Sequence, residues 1–382
     1  MFASPAPAAA APGPLCYVRP GGPGPDGDSW ATAYANPQDA LADHSCTEIW
    51  VAGGTYLPDE SDPGNQTLSF GLKTSVEIYG GFVGTESQRD QRNWLANQTI
   101  LSGNIGAPGD NTDNSYHVVV GNAGPSSILD GFIIRDGYAH GLGGGHNLGG
   151  GILINSGSPT LRNLRIADNQ GALGGGMYVG QGNPVLNQVI FIDNSADFAG
   201  GMYAQEGSST LTDVTFDRNE ATSALGGWGG GLAIATSTTS ATLNNVTFSR
   251  NTAQGPGGGM YNGGNVLLTN VTFAFNESVS GGGAFHNLDS GATINHATFR
   301  DNDGLGDSLM LEAGAVTVTN SLFGITTAAH FNLTGRQPGC HRQPGAGGLP
   351  ADRRLSLHQR NCRRHAAGRA AEQRRLHPDN AY

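Results

Sequence analysis

Leu211-Thr-Asp-Val-Thr-Phe216, Leu243-Asn-Asn-Val-Thr-Phe248 and Leu268-Thr-Asn-Val-Thr-Phe273 are three copies of one phrase. Upstream and downstream it recurs as Leu161-Arg-Asn-Leu-Arg-Ile166, Leu186-Asn-Gln-Val-Ile-Phe191 and Ile294-Asn-His-Ala-Thr-Phe299. Weaker members run from Leu129 to Ile134 and from Val318 to Phe323. Copies begin at 129, 161, 186, 211, 243, 268, 294 and 318, in steps of 32, 25, 25, 32, 25, 26 and 24 residues. The two long steps contain seven-residue insertions near 140–147 and 221–228, in one phase of the repeat, so they should stack as loops on one side.

Each unit carries two further marks. Three residues after the closing Phe or Ile stands Asn169, Asn194, Asn219, Asn251, Asn276 or Asn302. A glycine cluster then leads into an apolar residue, as in Gly257-Gly-Gly-Met260. Within Val-Thr-Phe the Val and Phe point one way and the Thr the other, because side chains alternate along a strand. A unit of this length is too short for a pair of helices and too long for one hairpin. Coiled and stacked, such units place Leu over Leu, Val over Val and Phe over Phe in one continuous core. Recurrent Asn suits a corner, since it tolerates left-handed backbone and bonds like residues above and below. Glycine serves turns of positive φ or close backbone approach. The predicted fold is therefore all-β: a right-handed, single-stranded parallel β-helix, or solenoid, of about 25 residues per coil.

Composition agrees. Of 382 residues 61 are Gly and only 13% are charged, which favours short strands and tight turns over long helices. The net charge of -11 conceals two segments. From Arg336 onward lie ten of the twenty basic residues but only three of the thirty-one acidic ones, leaving ten bases against twenty-eight acids before it, a balance of -18. Such an acidic body repels phosphate backbones, so nucleic acid is not an expected partner. No run of about twenty apolar residues offers a transmembrane helix.

The phrase Phe191-Ile-Asp-Asn-Ser-Ala-Asp-Phe-Ala-Gly-Gly-Met-Tyr203 resembles the paired FxxN and GGA(I/L) repeats of polymorphic outer-membrane proteins, found in many bacterial right-handed β-helix surface proteins. Earlier segments, Glu48-Ile-Trp-Val-Ala-Gly-Gly-Thr-Tyr56 and Ile78-Tyr-Gly-Gly-Phe-Val-Gly-Thr-Glu86, are similar to the first coils of those proteins. The resemblance implies export to the cell surface or the extracellular space and an adhesin-like or carbohydrate-associated role; an autotransporter barrel, which would complete it, is not found in this sequence. Four segments are expected: 1–14, a signal-peptide remnant or disordered leader; 15–128, an N-terminal cap and first coils; 129–331, regular repeats; and 332–382, a disordered basic tail, of a composition that out-of-frame translation would give. Asn36-Pro37 before Gln38-Asp-Ala-Leu-Ala42 predicts a short capping helix. Cys16 and Cys46 are a candidate disulfide, fitting an oxidising compartment.

Chemistry is less legible. Pectin-degrading hydrolases of this fold need converging carboxylates. Asn111-Thr-Asp113 supplies one fragment of such a site, but no Asp-Asp pair exists. A lyase needs calcium-binding acids and a basic residue; Asp193, Asp213, Asp217 and Arg218 lie near strand ends, where acids are ordinarily polar corners. Asp26, Asp28, Asp110 and Asp113 occupy Gly/Asn-rich loops that could take calcium, and no other cofactor is indicated. The column Thr215, Thr247, Thr272, Thr298 invites an ice-binding reading, against which stands the plain β-propensity of Thr. His140, His146 and Trp228 sit in the insertions, where a binding groove would form. The expectation is an exported scaffold, without catalytic residues, that binds a surface glycan or protein. The alternative is a polysaccharide lyase or glycoside hydrolase of the pectin-degrading β-helix type.

Overall fold

The computed structural model describes residues 14–333, apart from 25, 59–61, 63, 108, 305–306 and 325–328. The expected leader and basic tail, with Cys340 and Cys362, lie outside the described residues but for a residue or two at their inner ends.

Leucine does stack on leucine. Leu161, Leu186, Leu211, Leu243, Leu268, Ile294 and Val318 occupy one register, each on the next coil. Every pairing between described strands is parallel, and the coils form a parallel β-helix. Two long faces carry the longer strands. The first runs from Leu15–Val18 to Leu322–Phe323, the second from Phe70–Gly71 to Ala329–Leu333. A third, of two- to four-residue strands, runs from Tyr138–Ala139 to Asp303–Gly304.

Alternation decides what is inside. Leu243, Val246 and Phe248 are at most 1% exposed, while Thr242, Asn244 and Thr247 between them face outward. Burying each large apolar side chain contributes about 1.5–3 kcal/mol. Phe191, Phe216, Phe248, Phe273, Phe299 and Phe323 stack with centroids 4.6–5.1 Å apart, which is the strand spacing repeated by rings.

The asparagine ladder is buried and closed. Asn169, Asn194, Asn219 and Asn251 each donate from Nδ2 to the Oδ1 of the next, at 2.9–3.0 Å, and Asn276 reaches Asn302 at 2.8 Å. Each of these oxygens also takes the backbone N–H of the asparagine one coil earlier, at 3.0–3.3 Å. Left-handed backbone, however, is not theirs. It falls on the residue before: Asp168, Asp193, Arg218, Arg250, Phe275 and Asp301, with φ of 48–57°. A second left-handed column, Asn163, Gln188, Asp213, Asn245, Asn270, His296 and Asn320, bends each coil inside the repeated phrase. The reason is geometric: the sharp turn is made by an exposed residue, while the asparagine after it keeps its amide buried in the ladder.

The N-terminal end is covered by the helix Pro37–Ala42. Asn36 caps it, accepting from Gln38 N at 2.9 Å, and Ala40 and Leu41 are buried beneath. Cys16 of the first strand and Cys46 are disulfide-bonded, their Cα atoms 5.6 Å apart. Among the described residues no helix is long and apolar enough to cross a membrane.

Candidate ligand-binding cleft

On the outer side of the first face, one register column reads Tyr17, Trp50, Tyr79, Asp130, Arg162, Asn187. Its first members pack as an outer aromatic cluster with Trp30 and Phe82, Trp50 lying parallel to Phe82 at 4.7 Å. Where later coils bend through a single residue, Gly131 or Asn163, the coil of Tyr79 carries the loop 83–98 instead.

That loop is held by its own side chains. The Glu86 carboxylate accepts from Val83 N, Gly84 N and Thr85 N at 2.6–3.0 Å. Burial works to raise its pKa, but these backbone donors hold it below the usual carboxylate value. Gln91 Oε1 takes Ser87 N and Gln88 N, and Asn93 N donates to Gly81 O at 2.8 Å. Two glycines let the loop come close. A Cβ on Gly81 would meet the Trp94 backbone at 2.6 Å; on Gly131 it would meet Arg92 Nη1 at 2.8 Å. Both have positive φ, +96° and +87°.

Between this wall and the strands lies a cleft of about 520 Å³, reaching from Tyr79 and Trp94 to Asn187 and Gln188. Its buried charges are internally matched. Arg92 Nη2 donates to Asp130 Oδ1 at 2.8 Å, and Asn163 Nδ2 reaches the same oxygen at 2.7 Å. Arg162 Nε lies 3.2 Å from Asp130 Oδ2, an ion contact without hydrogen-bond alignment. Asp130 is 4% exposed, so two guanidinium groups offset the cost of burying it. Arg89 Nη1 approaches Glu48 at 3.4 Å and Glu77 at 3.3 Å and donates to Tyr79 Oη at 2.9 Å. The Tyr79 hydroxyl donates to Glu77 at 2.6 Å; burial first, and this bond second, push its pKa well above the ordinary phenol value. Arg89 and Arg92 also lie over the Tyr79 ring, and Arg92 over Trp94, at 4.5–5.0 Å.

Asp130 is thus occupied, and the cleft is lined besides by Trp94, Arg162, the amides of Asn187 and Gln188, and at its rim the exposed Asp90, unpaired among the described residues. Such a set can hydrogen-bond and stack. It offers no carboxylate pair free to act as acid and base.

The residues singled out in the insertions lie elsewhere. His146 stacks on Tyr116 at 4.6 Å, and exposed His140 leans on Tyr138 at 4.7 Å. Trp228 packs on Tyr261 at 4.5 Å, with Phe198 and Tyr203 beside it, in a second apolar layer outside the second face. Neither insertion lines the cleft. Asp193 and Asp217 are joined through Arg218, whose Nε and Nη1 stand 2.7 Å from one and the other, and Arg250 also holds Asp217 at 2.7 Å. Asp26, Asp110 and Asp113 accept nearby backbone N–H groups as turn residues. Among the described residues the only grouping of potential metal ligands is Cys16, Asp43 and Cys46, whose thiols are disulfide-bonded. Arg89, Arg92 and Trp94 did not stand out in the sequence because they lie outside the repeat. The available signal was two of the body's ten basic residues within six positions of a Trp.

No family model matches the chain, and no curated protein is similar to it. Among solved structures, that of pectate lyase Pel9A aligns with it at 13% identity and a TM-score of 0.47, over 80% of this chain and 78% of that one.

Proposed function

We propose that the protein is an exported, cell-surface or extracellular β-helix scaffold that binds a glycan in the cleft beside Trp94. The supporting observation is the division of labour there: the buried Asp130 is engaged by two arginines, while an indole, a guanidinium, two amides and a single exposed carboxylate, Asp90, line the opening. Aromatic faces stack on sugar rings and planar amides pair with hydroxyls, a combination suited to saccharides. The surface location draws on the repeat-level resemblance to bacterial β-helix surface proteins.

The test is a glycan array with the full chain and with Trp94→Ala. Signals that disappear in the variant support the reading; signals that persist unchanged oppose it. A second reading, a polysaccharide lyase, draws on Arg162 standing beside Asp130 in the same cleft, a base next to an acid. It predicts an unsaturated, ultraviolet-absorbing product from polygalacturonate. That product, abolished by Arg162→Ala, would replace the scaffold reading by an enzymatic one.

A further inference from the structure

The column that floors the cleft does not stop at Asn187. It continues in register through Thr212, Asn244, Thr269, Asn295 and Thr319. At the spacing of parallel strands this extension is about 24 Å long, parallel to the helix axis. None of its members carries a charge, and neither does the neighbouring outward column of Val185, Thr210, Thr242, Leu267, Thr293 and Thr317.

The two ladders of the molecule differ in one respect. The inner asparagines satisfy one another, whereas among the described residues no protein partner meets the side chains of Thr212, Asn244 or Thr269. Those groups are partly exposed, so a polyol can meet them without breaking any bond of the protein.

Resting on the glycan reading of the cleft, we infer that the ligand is an extended, neutral, β-linked polysaccharide lying along the helix axis. The Trp94–Arg162 cleft holds one end of it and the Asn187–Thr319 column holds its length. The column offers no cation to a uronate or sulfate, and the acidic body repels polyanions. Strict register keeps the donors in a straight line at one per coil, about 4.8 Å, so a chain of β-1,4-linked hexoses meets each successive rung at a comparable interval. An ice surface suits this face less well. Left-handed backbone at Asp213, Asn245, Asn270 and His296 bends each coil between the Thr212 column and the Thr215 column, so the threonines do not share one plane, and Leu267 and Leu322 interrupt the rows.

The experiment is calorimetric titration of the full chain with cello-, chito- and manno-oligosaccharides of increasing length, with polygalacturonate oligomers as the charged series. Affinity for one neutral series should rise with length and change little with salt. The double variant Asn244→Ala, Thr269→Ala should bind long oligomers about tenfold more weakly, close to the affinity of short ones. Thr269→Lys, a change at a half-buried, outward-facing strand position, should do the same with an unaltered circular dichroism spectrum. Affinity independent of length, variants that bind like the wild type, or a preference for polygalacturonate would each overturn the inference while leaving the cleft reading in place. No binding to any glycan, long or short, would remove the cleft reading itself.

Discussion

Asn219 donates from Nδ2 to Asn251 Oδ1 at 3.0 Å, and both side chains are completely buried. The same Nδ2 donates to Phe191 O, while Asn219 Oδ1 accepts from Asn194. One amide therefore couples three coils, and it does so only because it is donor and acceptor at once. Asn219→Asp keeps the shape but sets a carboxylate against Asn251 Oδ1, which retains only the Asn219 backbone N–H, and against Phe191 O, which loses the amide donor. A loss of about 3 kcal/mol is expected, from lost bonds and a buried charge, read as a lowered urea midpoint.

Two buried histidines set an acid limit. His117 and His286 are 6% and 1% exposed, and burial lowers both pKa values from 6.5 to about 4. Glu312 Oε1 lies 3.6 Å from His286 Nε2, but it is solvent-facing, and its attraction is small against burial. Because the folded pKa lies below the unfolded one, the unfolded chain takes up the proton first. Stability is whole above pH 6.5 and falls as the pH drops toward 4, by about 3 kcal/mol per histidine. Denaturation across that window should show the slope, and His286→Gln should reduce it.

His296 holds φ of 54° on an exposed corner. Asn270 in the same column donates from its amide to Asn245 Oδ1 at 3.0 Å, a continuity that the imidazole of His296 interrupts. His296→Asn replaces a residue strained in left-handed backbone by one that tolerates it and lets its amide reach Asn270. A gain of a few tenths to about 1 kcal/mol is expected, measured as a raised melting temperature.

The disulfide closes a segment of 30 residues that includes the capping helix. Removing it through Cys16→Ser and Cys46→Ser together should cost about 3–4 kcal/mol by the loop-entropy relation. Protease digestion with and without reductant should show 15–46 as the region that opens first.

The fold was legible because periodicity is a property of sequence. Leu211, Val214 and Phe216 announce their alternation without reference to any other coil. The capping helix was legible too, since Asn36 and Pro37 act on their immediate neighbours. The left-handed corners were placed one residue late, because which of Asp168 or Asn169 turns sharply depends on which side chain finds a buried partner one coil away.

The cleft was not legible at all. Arg92 and Asp130 are 38 residues apart, and nothing in either neighbourhood marks the other. Trp228 illustrates the converse: a Trp in an inserted loop reads as a ligand platform, yet its ring packs on Tyr261, 33 residues further on. Sequence by itself determined the coil, its core and its polar inner ladder, since those repeat at a fixed interval and each unit states the rule again. Only the tertiary structure decided that loop 83–98 folds back over the outer column, because that contact joins a unique segment to a repeated one. A contact made once leaves no period to read.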